Sequence, residues 1–332
     1  MASTPTGAVN LTTDQLVKNL LQKIELNVPI ARILPFMGVQ GGKLRVERTN
    51  PFGAAAGGSV PDVAKLATIL DDNGSISVTG PEFVNNADES KTYTVGELAF
   101  RYKLDYTVQD RYKYQSVDAV LAMAACERLM LALFYKLDKQ NGGALAGDFD
   151  SLYDIAAASP GTVGTNQAVN MGGALTLAKL HETFYKCFAG GVGPNAVMCN
   201  VRAARAITAA YQAAGLLQET VEVEFPNPLT GGTCKQRVNA INGVPIYIND
   251  CIETAAGVSR IYFVVFGFCP EKNIHGVTCI VPQETLNTLF IRREAAEPSG
   301  ASTTQMNVTY TFPVAIAAGT YSAVSVLYGV SV

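Results

Sequence analysis

The chain has 332 residues, a net charge of −3, and 16% charged residues against 48% hydrophobic ones. That length holds a sizeable core, and the charge balance excludes a global basic field that would recruit nucleic acid or an anionic membrane. Charged residues fall well below the ~25% usual for a soluble domain, which points to surface covered by other protein.

The opening MASTPTGAVN lacks the basic and apolar regions of a secretory signal. Residues 11–27 read as an amphipathic helix. Thr12 and Gln15 form a capping box, Leu16, Val17, Leu20, Leu21 and Ile24 form an apolar stripe, and Pro29 ends it. The stripe has little local partner, so the segment reads as an arm that docks elsewhere. Residues 38–97 carry weak core signals. Lys43 to Arg48 alternates charged with aliphatic residues, as an exposed strand does. NPFGAAAGG, a stretch around Pro61, a short SISVT strand and a Gly80-Pro81 turn follow. A segment of this kind cannot build its own core, and its strands suggest an extended hairpin leaning on a neighbour.

Leu98, Phe100, Tyr102, Leu104, Tyr106 and Val108 alternate with Ala99, Arg101, Lys103, Asp105 and Thr107, the clearest strand signal in the chain. A long helix is expected over 116–141, capped by Ser116 and stopped by Gly142-Gly143. At 1.5 Å per residue it spans roughly 39 Å. Its middle is Ala, Leu and Met nearly all round, which predicts burial on most faces. The pattern then turns to mixed α/β. A helix is expected from Leu175 to Phe188, a buried strand at Ala196–Cys199, and a helix capped by Asn200 and closed by Gly215. Strands are expected at Thr220–Phe225, Val244–Asn249 and Arg260–Phe266, then VTCIVP, TLFIRRE, MNVTYTF and SAVSVLYGV. From Pro298 to Val332 there is no Asp, Glu, Lys or Arg. This tract is nearly long enough to span a bilayer, but it alternates and is broken by Gly319, Thr320, Ser322 and Gly329, so it reads as buried β-structure.

No catalytic constellation emerges. Cys126, Cys187, Cys199, Cys234, Cys251, Cys269 and Cys279 stand singly among apolar neighbours, as reduced, buried thiols of a cytosolic setting do. The two histidines, His181 and His275, form no metal-ligand spacing: His181-Glu182 is followed by Tyr185 where H-E-x-x-H needs histidine. Gly41-Gly42-Lys43 lacks the rest of a P-loop, and Gly190 to Gly193 precedes a strand instead of opening a helix. No G-x-S-x-G is present. No catalytic, cofactor or metal residue is assigned. Lys43, Arg45, Glu47 and Arg48 allow two readings, a nucleic-acid patch or a solvated or subunit-contacting hairpin face. Their mixed signs favour the second.

In order and detail these segments resemble the tailed-phage major capsid proteins of the Hong Kong 97 type. FRYKLDYTVQDRYKYQSVDAVLAMAACERLMLALFYKL is similar to the family's strand and spine helix, and NAVMCNVRAARAITAAYQAAG to its axial-domain strand and helix. INGVPIYIND, FVVFG, LFIRRE and SAVSVLYGV resemble its later strands and turns. The resemblance covers nearly the whole chain. It implies an α+β subunit with an N-terminal arm (1–30) and a peripheral domain (31–39 and 98–145, with spine helix 116–141). An extended E-loop (40–97), an axial domain (146–269), further peripheral strands (270–317) and a terminal strand returning to the axial domain (318–332) complete it. It implies a structural head protein that self-assembles into an icosahedral shell around double-stranded DNA, without cofactor or membrane. Assembly would take place in the host cytoplasm, and the protein would end up in the virion. Partners would be copies of itself in hexamers and pentamers, a portal, and a separate scaffolding protein, since no helical scaffolding segment precedes the arm; the alternative is a chain from which such a segment has been trimmed. Leu16, Leu20, Lys43, Arg45, Glu47 and Arg48 would meet neighbouring subunits. Glycine joints at 41–42, 57–58 and 142–143 would act as hinges. Some members crosslink an E-loop Lys to an Asn of a neighbour; Lys43, Lys65, Lys91 and Asn307 occupy such regions without a motif that singles them out. An encapsulin-like compartment is the alternative within the fold, and a cytosolic α/β enzyme the alternative outside it.

Overall fold

A computed structural model of the chain describes residues 33–47, 90–105, 117–138, 149–157, 167–188, 192–226, 233–252, 257–269, 274–283, 292–293, 297–298 and 305–332. The expected helix over 11–27 with Leu16 and Leu20, Arg48, Lys65, the Ser116 cap and the joints at 57–58 and 142–143 lie outside these residues.

In chain order the elements begin with strands β1 (Phe36–Val39), β2 (Lys43–Glu47), β3 (Ser90–Thr94) and β4 (Gly96–Asp105). Helices α1 (Val117–Asp138) and α2 (Leu152–Ala157), strand β5 (Ala168–Gly173) and helix α3 (Leu177–Lys186) follow. Then come β6 (Ala196–Cys199), helix α4 (Val201–Ala213), β7 (Thr220–Pro226), β8 (Thr233–Ile241), β9 (Val244–Ile248) and β10 (Val258–Val264). Short strands β11 (Phe268–Cys269) and β12 (Ile274–His275) precede β13 (Val277–Pro282), β14 (Arg292–Arg293), β15 (Glu297–Pro298), β16 (Gln305–Ala318) and β17 (Val324–Ser331).

Two main sheets organise the described residues. The first is built on the 14-residue strand β16. Along one edge β16 pairs antiparallel with β4, from Gln305↔Asp105 to Val314↔Gly96. Along the other it meets β14 and β15, while β13 pairs with its last residues, from Ile280↔Ala315 to Val277↔Ala318, and β1 joins β13 in parallel. The alternation expected for β4 is present: Leu98, Phe100 and Tyr102 are half-buried while Ala99 and Arg101 are exposed. Tyr102 stacks on Tyr310 of β16, with ring centroids 5.6 Å apart and hydroxyls 3.2 Å apart. From Val314 to Ala318 every residue of β16 is buried, so the strand passes from one-sided to two-sided cover. This explains the charge-free C-terminal tract: it is β-structure wrapped by protein.

The second sheet runs β5-β17-β10-β6-β9-β8-β7. Strands β6 and β10 form its centre, and all four residues of β6 are buried. α4 lays Ala203, Ile207 and Tyr211, spaced by four, into the core. Its first turn is capped as expected, by the Asn200 side chain accepting from the Ala203 amide at 2.8 Å. Phe184 of α3 packs edge-on against Phe263 of β10 at 5.7 Å. The sheets meet where the chain leaves β10: Val277 donates to the Val265 carbonyl at 2.7 Å, and Gly267 to that of Val277 at 2.9 Å.

Over residues 124–138 α1 is buried or half-buried on most faces, as its apolar composition implied. Ala125, Leu129, Met130, Leu133, Phe134 and Leu137 are buried along one stripe, while Ala124, Arg128 and Tyr135 are exposed. The structure corrects several expectations. β5, β8 and α2 were not anticipated, for their patterns are short or polar. The helix expected over 175–188 covers Leu177–Lys186, β10 begins two residues earlier than expected, and of TLFIRRE only Arg292–Arg293 is a described strand.

Candidate assembly surfaces

β2 and β3 form a separate two-stranded ribbon, in register from Lys43↔Thr94 to Glu47↔Ser90. Alternation gives it two unlike faces. Lys43 and Arg45 are exposed on one face, and Val46 and Tyr93 are buried on the other. The Tyr93 hydroxyl donates to the Ala318 carbonyl of β16 at 3.3 Å, and the Val95 amide to that of Gly42 at 2.9 Å. The base of the ribbon is thus bonded to the first sheet while its far end, at Glu47 and Ser90, leads into residues 48–89. Of the six residues expected at subunit contacts, the structure brings Lys43, Arg45 and Glu47 onto this one strand. Leu16, Leu20 and Arg48 lie outside the described residues. Lys91 sits opposite Val46 in the ribbon, and Asn307 lies in β16 opposite Lys103.

Sequence reasoning missed a second surface. β7 and β8 make a ribbon at the end of the second sheet, paired from Thr220↔Asn239 to Pro226↔Thr233. It returns into the sheet through a two-residue Asn242-Gly243 turn, in which both residues have positive φ, 47° and 76°. Asn-Gly between strands is the sequence signature of such a hairpin. Glu222, Glu224, Lys235, Gln236 and Arg237 are exposed, with Glu222 and Arg237 3.7 Å apart. Beside the start of this ribbon Leu217 is 95% exposed and Leu216 54%.

A third feature lies inside the protein, where α1 ends against β10. The Asp138 carboxylate is buried, accepts a hydrogen bond from the Tyr262 hydroxyl, and lies 3.2 Å from Arg260 Nη1. Burial, then the neighbouring carboxylate, holds the Tyr262 hydroxyl well above its ordinary pKa, so it stays protonated and donates. One turn earlier, Asn249 Nδ2 reaches the Phe134 carbonyl at 3.4 Å.

None of this has the form of a reaction centre. Burial pushes the thiols of Cys126, Cys199 and Cys279 up to about 12, and raises that of Cys187 as well, so they remain unreactive thiols. His181 lies on the surface of α3, its Nδ1 3.3 Å from Asn242 Nδ2. Among the described residues no group of three His, Cys, Asp or Glu could hold a metal, and no helix is long and apolar enough to cross a membrane.

No family model matches the sequence, and no curated protein matches it. Solved structures do. The chain is similar to the holo-SrpI encapsulin complex of Synechococcus elongatus PCC 7942, with a TM-score of 0.61 and 15% identity over 91% of this chain and 87% of that one. It is similar to the capsid of an empty GTA particle, at a TM-score of 0.56 and 15% identity over 91% and 89% of the two chains. Mycobacterium phage Bobi gives a TM-score of 0.53 and 13% identity over 91% and 90%. Sequence identity this low coexists with a shared architecture over nine-tenths of the chain, and the mixed α/β protein has the fold of encapsulin and phage capsid subunits, the Hong Kong 97 type.

Proposed function

We propose that this protein is a non-catalytic shell subunit, the major capsid protein of a tailed phage, whose copies close into an icosahedral head around double-stranded DNA. The observation that carries the reading is the shared fold over 91% of the chain with proteins that are themselves shells. The low charge content supports it, because a chain with 16% charged residues needs protein neighbours over much of its surface. In this reading the first sheet with α1 is the peripheral domain, α1 its spine, and the second sheet the axial domain. Residues 40–97 are the E-loop that lies over the next subunit, which Lys43, Arg45, Glu47 and Arg48 contact. The arm, with Leu16 and Leu20, docks on another neighbour. Hexamers and pentamers of one sequence, a separate scaffolding protein and a portal complete the assembly, which occurs in the host cytoplasm and yields the virion.

A protein compartment of encapsulin type is the second reading, favoured by the higher TM-score of the encapsulin, 0.61 against 0.56 for the GTA capsid. Electron microscopy of the purified protein tests the shell itself: closed particles are expected, and a monomer at every concentration overturns it. Nuclease-protected DNA recovered from particles made in the native host supports the head, and a packaged protein in place of DNA supports the compartment.

A further inference from the structure

We infer that Asp138, Arg260 and Tyr262 form a clasp that fixes the direction of α1 against the second sheet, and that this direction sets the curvature of the shell; the second half rests on the shell reading above. Asp138 is the last residue of α1 and its side chain is 2% exposed. A carboxylate there is unfavourable twice, because it leaves water and because it sits at the negative end of a helix. A leucine would fill similar space without either cost. What the carboxylate supplies is direction. The Tyr262 hydroxyl donates to it, and Arg260 Nη1 lies 3.2 Å from both the carboxylate and the main-chain carbonyl of Asp138. The same guanidinium stands 4.6 Å over the Tyr153 ring of α2. One cation therefore ties α1, α2 and β10 to a common point.

Packing of Leu133 and Leu137 is non-directional and tolerates sliding. Hydrogen bonds among buried charged and polar groups do not. α1 also packs on β4 and β16 of the first sheet, so fixing its end couples the two sheets. Holding geometry at the expense of stability is an attested use of buried ionic groups.

The test uses the full chain carrying Asp138→Leu, Arg260→Met and Tyr262→Phe together, with Asp138→Asn alone as the milder variant. Hydrogen exchange reads the clasp whether or not shells form. Amides 134–138 are expected to lose protection at least tenfold in a variant that keeps its global melting temperature. Unchanged protection there overturns the clasp. Particle diameters by electron microscopy then read the consequence: a shifted or broadened distribution is expected. Wild-type diameters from a variant whose helix end exchanges faster overturn the link to curvature. If the wild type itself forms no particles, the shell reading fails while the exchange result still decides the clasp.

Discussion

Gly276 and Val265 meet so closely that a Cβ on Gly276 would stand 2.4 Å from the Val265 carbonyl oxygen and 2.6 Å from that of Gly267. Both obstacles are backbone, and both belong to the seam where β10 hands over to β13. The Gly276 amide donates to the Gly267 carbonyl, and its own carbonyl accepts from Gly319, which leads toward β17. One residue without a side chain thus lets three chain segments pass from sheet to sheet.

Gly276→Ala is accordingly expected to destabilise the protein by about 3 kcal/mol or more, at the upper end of overpacking costs. Denaturant unfolding of the purified variant measures this. A midpoint within experimental error of wild type would show that the seam can relax.

The buried thiols predict the response to alkaline pH. In the unfolded chain a thiol ionises near 9.0, whereas folded Cys199 and Cys279 stay neutral to about 12. Between these values the unfolded state has released protons that the native state retains. Stability is therefore complete below pH 9 and falls as pH rises through this window. Denaturant midpoints under reducing conditions should drop from pH 8 to pH 11. At pH 8, brief alkylation should mark exposed Cys234 and spare Cys187, Cys199 and Cys279.

How far the sequence revealed this protein depends on whether its signals were local. β4 was legible because Leu98, Phe100 and Tyr102 alternate with polar residues. α4 was legible because Asn200 and Gly215 punctuate it. The sheet switch at Gly276 was not, since nothing adjacent in sequence shows that the Val265 carbonyl accepts from Val277 and crowds Gly276. β8 was missed because TCKQRVNAI carries its polar residues on both faces of an exposed ribbon, which blurs any period. The Asp138–Arg260 pair joins positions 122 apart, beyond the reach of any spacing argument. Of the residues expected at subunit contacts, alternation placed Lys43 and Arg45 on an exposed face, while exposed Leu216-Leu217 looked like ordinary apolar sequence.

Deleting residues 53–79 is expected to leave both sheets folded. The β2–β3 register closes at Glu47↔Ser90, so the deletion falls beyond the ribbon and removes none of the core residues identified. Circular dichroism and melting should match wild type within a few degrees, while particles fail to close. Normal shells from the deleted chain would show that this loop is not the inter-subunit arm.

Leu217→Asp probes the second surface. The side chain is 95% exposed, so the substitution should change folding stability by no more than about 0.5 kcal/mol. If copies meet through this end of the second sheet, a buried charge would weaken each contact, and assembly should require a severalfold higher protein concentration. Light scattering against concentration measures it. An unchanged threshold would place Leu217 outside the contacts.

Leu133 gives the sharpest test of α1. It lies fully buried between Leu129 and Leu137 on the helix stripe, and α1 packs against β4 and β16. An aspartate at this point leaves water among buried apolar side chains, whereas Asp138 meets Arg260 and Tyr262. The cost is several kcal/mol, comparable to the whole ~5–15 kcal/mol stability of a domain. Leu133→Asp is therefore expected to abolish folding itself, appearing as insoluble or protease-sensitive chain, whereas the Leu217 variant remains a folded subunit. A soluble Leu133→Asp protein with native secondary structure and wild-type melting would mean that this face of α1 is open to solvent, and the helix could not be the spine on which the two sheets are hung.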